Sequence, residues 1–218
     1  MPKHSWEVDP STAKGIQATL ADSIRIEDFG GPISTVAGAD VTIALDGKNL
    51  IGGFVVLSWP DLEPVITSIA SQPATFPYIP GLLSFREIPV LISAWNQLDS
   101  KPDLIFCDGQ GIAHPRRLGL ASHLGLLLKS PSIGCAKSRL VGKHAEVPAS
   151  PGSWRPLVYK GTLVGSVLRT RANVKPVYVS PGHRTGINQA RELVMAACTK
   201  YRLPEPIRAA HRLVGDHR

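Results

Sequence analysis

Three acids that lie far apart along this chain, Asp40, Glu87 and Asp108, each sit where solubility does not explain them. Asp40 falls inside the β-type run TVAGADVTIAL from Thr35 to Leu45, and an acid among such residues is costly to bury unless it is paired or bound to a cation. The competing reading is an outward-facing strand acid, with Ala39 and Val41 pointing inward. Asp108 ends the unbroken apolar run Leu104-Ile105-Phe106-Cys107, the pattern of a strand buried on both faces, and is presented at that strand's carboxyl end. Asp-Gly is also a common turn dipeptide, so Asp108 and Gly109 alone would read as a turn with a solvated acid. Glu87 stands near the start of a helix expected over Ser84 to Leu98, where attraction to a helix N-terminus competes with a metal role. Together the three suit hard divalent ions. Magnesium takes a few carboxylates and keeps waters for a phosphate substrate, and two such ions activate water and stabilise a leaving oxygen in an in-line displacement. Two glycines, Gly109 and Gly111, then His114, Arg116 and Arg117 follow Asp108 and add the makings of a phosphate site.

The elements that must position these groups are legible in outline. Ala13, Ile16, Leu20 and Ile24 recur at helical spacing behind the cap-like Asp9-Pro10-Ser11, so a peripheral first helix is expected from Ser11 to about Asp28, within an N-terminal segment 1–30. Thr35 to Leu45, Leu50 to Trp59 and Pro64 to Ala70 read as an antiparallel meander with a hairpin turn at Asp46-Gly47-Lys48. Gln72 to Gly81 is too proline-rich for helix or inner strand and reads as a stiff exposed loop. A helix, the strand ending at Asp108, a second helix running from Leu118 to Leu128 and a short strand from Ser132 to Ala136 follow. Residues Gly142 to Pro156 read as an excursion, Thr162 to Arg169 and Pro176 to Ser180 as strands, Ile187 to Tyr201 as a helix, and 204–218 as a C-terminal tail. The expected fold is a single α/β domain over 1–218, a ribonuclease H-like mixed β-sheet flanked by helices.

Composition narrows the classes of function. The 218 residues are 43% apolar, ordinary for a packed core, and no apolar run reaches the roughly 18 residues of a membrane span. The opening MPKHSWEVDP lacks the apolar core of a signal peptide, so a soluble cytoplasmic protein is expected. Three widely spaced cysteines, Cys107, Cys135 and Cys198, indicate neither a disulfide framework nor a zinc site. The net charge of +7 favours a polyanionic partner, and the cations gather in the second half of the chain, from Arg116 to His183 and Arg184.

Several separated segments then identify a family. VAGADVT around Asp40, PYIPGLLSFRE from Pro77 to Glu87, DGQGIAHPRRLGLASHLG from Asp108 to Gly125, IGCAKSRLVGK from Ile133 to Lys143, PGHR from Pro181 to Arg184 and YRLPEPIRAAH from Tyr201 to His211 resemble endonuclease V, in the family's order. The resemblance implies a ribonuclease H-like fold, a requirement for magnesium with manganese as a substitute, and cleavage at the second phosphodiester bond 3′ to hypoxanthine. It also implies that Asp40, Glu87 and Asp108 are the metal-binding carboxylates. It places Lys137 where a catalytic-site lysine stabilises phosphate charge, and His211 where a metal-side or water-orienting residue stands, a position held by Asp in some members. Tyr78, Ile79 and Pro80 match a wedge that enters between bases; read without the family, this segment is an ordinary Pro-rich connection. Gly81, Leu83, Gly109, Gly111 and Leu120 are implied to line a pocket for the flipped base, glycines letting main-chain groups approach its edge. Arg116, Arg117, His183 and Arg184 are expected phosphate contacts, while His123, on a helix with apolar neighbours, reads as a satisfied core histidine. The chain departs from the expected pattern mainly in the loop Ala145 to Pro156 and in the short segment after His211.

The expected function is a magnesium-dependent endonuclease acting, as a monomer, on DNA containing deoxyinosine or other deaminated bases. An inosine-specific endoribonuclease is the alternative within the class, since only a 2′-OH separates the substrates. A non-catalytic binder of damaged nucleic acid is the alternative outside it. Three acids at a phosphate-binding surface count against a pure binder.

Overall fold

The computed structural model describes residues 4–218; the first three positions of the expected 1–30 segment lie outside the described residues. Strands β1 (Thr35–Ile43), β2 (Asn49–Ser58) and β3 (Pro64–Pro73) form the antiparallel meander. The hairpin between β1 and β2 turns where Asp46 Oδ1 accepts from the N–H groups of Lys48 and Asn49 and Gly47 takes φ +69°. β4 (Leu104–Cys107) pairs parallel to β1 and β5 (Ser132–Ala136) parallel to β4, while β8 (Val177–His183) runs antiparallel to β5. With β6 (Trp154–Tyr159) and β7 (Thr162–Leu168) the sheet has eight strands in the order β3-β2-β1-β4-β5-β8-β7-β6.

Among the described residues five helices cover it: α1 (Pro10–Ala21), α2 (Leu83–Asn96), α3 (Leu120–Leu128), α4 (Ile187–Ala196) and α5 (Glu205–Asp216). Alternation in the strands sends Ala37, Ile105 and Phe54 to a core with α2 and α3, and Val36, Phe106 and Ile133 to a core with α4 and α5. Every side chain of β4 is buried, as its unbroken apolar run requires. No helix among the described residues is long and apolar enough to cross a membrane.

Two elements are present that the sequence did not lead one to expect, in both cases because of proline. Residues 204–218, expected as a tail, are mostly helix α5. Pro204 and Pro206 bracket its start, where a proline's missing N–H costs nothing. Ile207, Ala210 and Val214 are buried on the sheet. The helix lies so close to β1 that a Cβ on Gly38 would stand 1.8 Å from Pro206 O. The excursion Gly142 to Pro156 ends in edge strand β6, where Pro156 is tolerated because an edge has N–H groups that need no partner. Helices α1 and α4 also stop earlier than expected, at Ala21 and Ala196.

Candidate active site

The register of β1 against β4 sets two of the acids side by side. Ala39 pairs with Cys107, so Asp40 and Asp108 are the next residues of adjacent parallel strands, which run about 4.8 Å apart. Asp108 is free to turn because β4 has ended, whereas Asp40 is held within β1 and accepts from the Val41 N–H at 2.9 Å. Glu87 comes from above, on α2. It lies beyond that helix's first turn, which carries no acid, so attraction to the helix N-terminus does not account for it.

Two of the three acids, Glu87 and Asp40, have their proton affinity raised. Burial, and then the charges of Asp40 and Asp108, push Glu87 up to about 8. Burial also raises Asp40, against the hydrogen bond from His211 and with the field of Asp108. No salt bridge reaches Glu87 among the described residues; the neighbouring Arg86 opposes its shift only in part. The other two have exposed cationic or titratable partners. Lys137 Nζ lies 2.5 Å from Asp108 Oδ2, and His211 Nδ1, on α5, donates to Asp40 Oδ2 at 2.8 Å.

The chemistry of these oxygen donors is that of a hard divalent-cation site. Among the described residues no group of three or more His, Cys, Asp or Glu side chains is placed to hold a metal ion by itself. Magnesium needs none, because it retains several waters and takes one or two protein carboxylates plus substrate phosphate oxygens. Three oxygen-donor acids, two of them with raised proton affinity and Glu87 without an ion-pair partner among the described residues, make an excess of negative charge that a divalent cation relieves.

Beside Asp108 a cavity of about 310 Å³ opens, at the lower end of the range for small-molecule sites. Tyr78, Pro80, Gly81 and Leu83 form one wall, Gly109 and Leu120 another, and Lys137 a third. The proline-rich loop over it is anchored and exposed in alternation. Phe76, Leu82 and in part Ile79 pack with Phe85 and Ala13, while Tyr78 is 69% exposed and Pro80 points to solvent. Of the three expected wedge residues, Ile79 is thus the anchor, and Tyr78 and Pro80 form the free tip.

The architecture agrees with the comparisons to known proteins. The endonuclease V family model matches residues 18–212. The chain belongs to the endonuclease V family. The endonuclease V of Trichormus variabilis is 50% identical over 214 residues, which cover 98% of this chain and 97% of that one. The crystal structure of endonuclease V from Streptomyces avermitilis superposes with a TM-score of 0.92 at 39% identity, covering 98% of this chain and 94% of that chain. Ciona intestinalis endonuclease V, crystallised with a 24mer DNA containing an inosine followed by a ribo-adenosine, gives a TM-score of 0.83 at 27% identity, with 96% of this chain and 98% of that chain covered.

Within this endonuclease V fold, several residues stand elsewhere than the motif suggested. Arg116, expected on phosphate, is turned inward: Nη2 donates to Gly81 O at 2.7 Å and Nε to Gln17 Oε1 at 2.6 Å. His114 Nε2–H donates to the same carbonyl at 3.0 Å, while its Nδ1 accepts from the Arg116 N–H. Burial and the Arg116 charge lower His114 to about 4, so it is a neutral clamp on the loop. Arg117 stays exposed. Gly111 is absent from the cavity lining; a Cβ there would meet Pro181 O at 1.9 Å, so this glycine serves the packing of β8. His183 and Arg184 lie at the opposite end of the sheet, because His183 pairs with Ser132, the first residue of β5, while Lys137 follows the last. His123 is fully buried between Ser84 Oγ at 3.0 Å and His4 Nε2 at 2.9 Å, as a core histidine should be. Sequence reasoning missed Gln17, whose helix gave no hint of contact with Arg116. It also missed Gln110 and Leu140, which line the cavity and were visible only as members of quoted motifs.

Proposed function

We propose that this protein is a magnesium-dependent endonuclease that nicks DNA at the second phosphodiester bond 3′ to deoxyinosine, a repair step on deaminated bases, working as a cytoplasmic monomer over its single 1–218 domain. The observation that carries this reading is the junction of three mutually repelling acids with a base-sized cavity under a stiff, exposed loop tip. Asp40, Glu87 and Asp108 would hold the magnesium ions, with manganese able to replace them. When bound, the metal supplies an activated water and neutralises charge on the scissile phosphate.

The chain's own residues supply the rest. Tyr78 and Pro80 enter the stack, and the clamp of His114 and Arg116 on Gly81 O keeps the loop from giving way, so little entropy is lost on binding. The flipped base enters between Gly81, Leu83, Gly109 and Leu120, where main-chain groups approach its edge. Hypoxanthine carries a carbonyl where adenine has an amine, so adenine would leave buried polar groups unpaired. Lys137, released from Asp108, stabilises charge on the phosphate, and His211 orients water through its ring.

Incubation with magnesium and a duplex bearing one deoxyinosine should give a single nick on that strand, abolished by EDTA and by Asp40→Ala. Undiminished cutting by the variant would remove the acids from the mechanism, and binding without nicking would make the protein a mere binder. Cutting of inosine-containing RNA is a second reading, favoured by one observation: the DNA bound to the Ciona relative carries a ribo-adenosine after its inosine. Competition between matched DNA and RNA strands separates the two.

A further inference from the structure

Along the sheet edge that bears the acids, the features fall in a line set by strand order. Asp40 lies in β1, Asp108 follows β4 and Lys137 follows β5. Tyr178 comes next, on β8, where it pairs with Ala136, and Arg169 follows β7. Beyond the base cavity, on the side away from Asp40, a groove of about 430 Å³ shares Lys137, Ser138 and Arg139 with it and continues past His144, Lys175 and Tyr178.

The groove's walls are fixed and its charge is free. Arg169 donates to the carbonyls of Pro148 at 2.7 Å, Val147 at 2.9 Å and Val174, tying the loop after β5 to the turn after β7. Arg202 Nη2 donates to Lys137 O at 2.7 Å and Pro176 O at 2.8 Å, fastening the other ends of the same walls. With these two arginines committed to main chain, Arg139 and Lys175 present exposed side chains at the groove. Glu146 is its one lining carboxylate, which leaves it net cationic. Tyr178 and His144 form an edge-to-face aromatic pair, ring centroids 5.7 Å apart, on its floor. Cations beside an aromatic platform are what a single nucleic-acid strand requires: charge for phosphates, a face for a base.

We propose that this groove binds the nucleotides on the 5′ side of the flipped base. The inference rests on the proposed reading: if the strand is cut on the 3′ side at the acids, with the base in the cavity, chain polarity sends the 5′ flank to the cavity's far side, into the groove.

The test measures binding and single-turnover nicking on deoxyinosine oligonucleotides whose 5′ flank is shortened nucleotide by nucleotide at constant 3′ length, and the converse series. Wild type should lose about tenfold in affinity as the last few 5′ nucleotides go. Lys175→Glu combined with His144→Ala should lose about tenfold on long 5′ flanks, with a salt slope smaller by about 1, and nothing on strands that begin at the inosine. Equal losses on substrates without 5′ nucleotides, or losses that track the 3′ flank, would overturn the assignment. If wild type does not nick at deoxyinosine, the functional reading itself fails; if it nicks without regard to 5′ length, only the groove does.

Discussion

The two ends of the parallel strand pair β4 and β5 both gather polar residues and behave oppositely. At the amino end of β5, Ser132 Oγ donates to Ala121 O at 2.8 Å and accepts from the His183 N–H at 3.0 Å. Thr185 Oγ1 reaches Ser132 O at 3.2 Å, and His183 Nδ1 accepts from the Arg25 N–H. Each of these groups closes another. At the carboxyl end, burial and the charges of Asp40 and Asp108 raise the proton affinity of Glu87, and the partners Lys137 and His211 are exposed enough to be displaced. Satisfied polar atoms build stability, whereas unsatisfied charge is what a substrate or ion comes to neutralise.

The largest expected effect breaks one end alone. Asp108→Asn keeps size and shape and removes a charge that contributes repulsion, so thermal stability should hold or rise while nicking falls by about 10³-fold. Retained nicking in a quantitative cleavage assay would place the chemistry elsewhere. The mirror experiment at the other end is Ser132→Ala. It removes a donor from Ala121 O and an acceptor from the His183 N–H, both buried, and should cost about 1–3 kcal/mol in denaturant unfolding. The nicking rate per folded molecule should stay within about twofold.

The acid end was readable from sequence and the closed end was not, for a physical reason. An acid in a β-type run, or at the end of an apolar run, violates the hydrophobic pattern, and a violated pattern is visible without coordinates. Asp40 and Asp108 announced themselves this way, and β1 to β5 followed from their apolar runs. His183 and Arg184 violate nothing. A basic pair after a strand reads as a surface feature, and only the antiparallel register of β8 on β5 shows it belongs to the far end. Arg116 misled for a similar cause, since its partners Gln17 and Gly81 are far off in sequence. Helix α5 and strand β6 were lost behind prolines that do not disturb a first helical turn or an edge strand.

A smaller effect tests whether a closed polar group also carries a cost. Burial, aided by His4 and His114, lowers His123 to about 3 from an ordinary 6.5. An imidazole held neutral in the fold takes up a proton on unfolding below about pH 6.5. Its contribution is therefore intact above that pH and is lost as pH falls toward 3. Between pH 7 and pH 5 the loss should be about 2 kcal/mol, at roughly 1.4 kcal/mol per pKa unit. His123→Gln, which can still bond Ser84 Oγ, should remove that part of the acid sensitivity in denaturant titrations at the two pH values. An unchanged pH slope would mean that His123 is protonated within the fold.

The smallest effect discriminates most sharply between the two ends. Arg184 is exposed and adopts φ +50°, a left-handed conformation that an L side chain occupies at a cost and glycine does not. Its N–H bonds Arg25 O at 2.7 Å, which a glycine preserves. Arg184→Gly should therefore gain a few tenths to about 1 kcal/mol of stability if the release of strain outweighs glycine's larger unfolded-state entropy. The informative readout is salt. A phosphate-gripping arginine, once removed, lowers the slope of log affinity against log salt by about 1, whereas a residue a full strand away from the bound duplex leaves it unchanged. The unchanged slope is expected here, because His183 and Ser132 fix Arg184 at the amino end of β5. A lowered slope would mean that the duplex wraps around the sheet to its closed end, and that electrostatic contact reaches past the boundary drawn by polar closure.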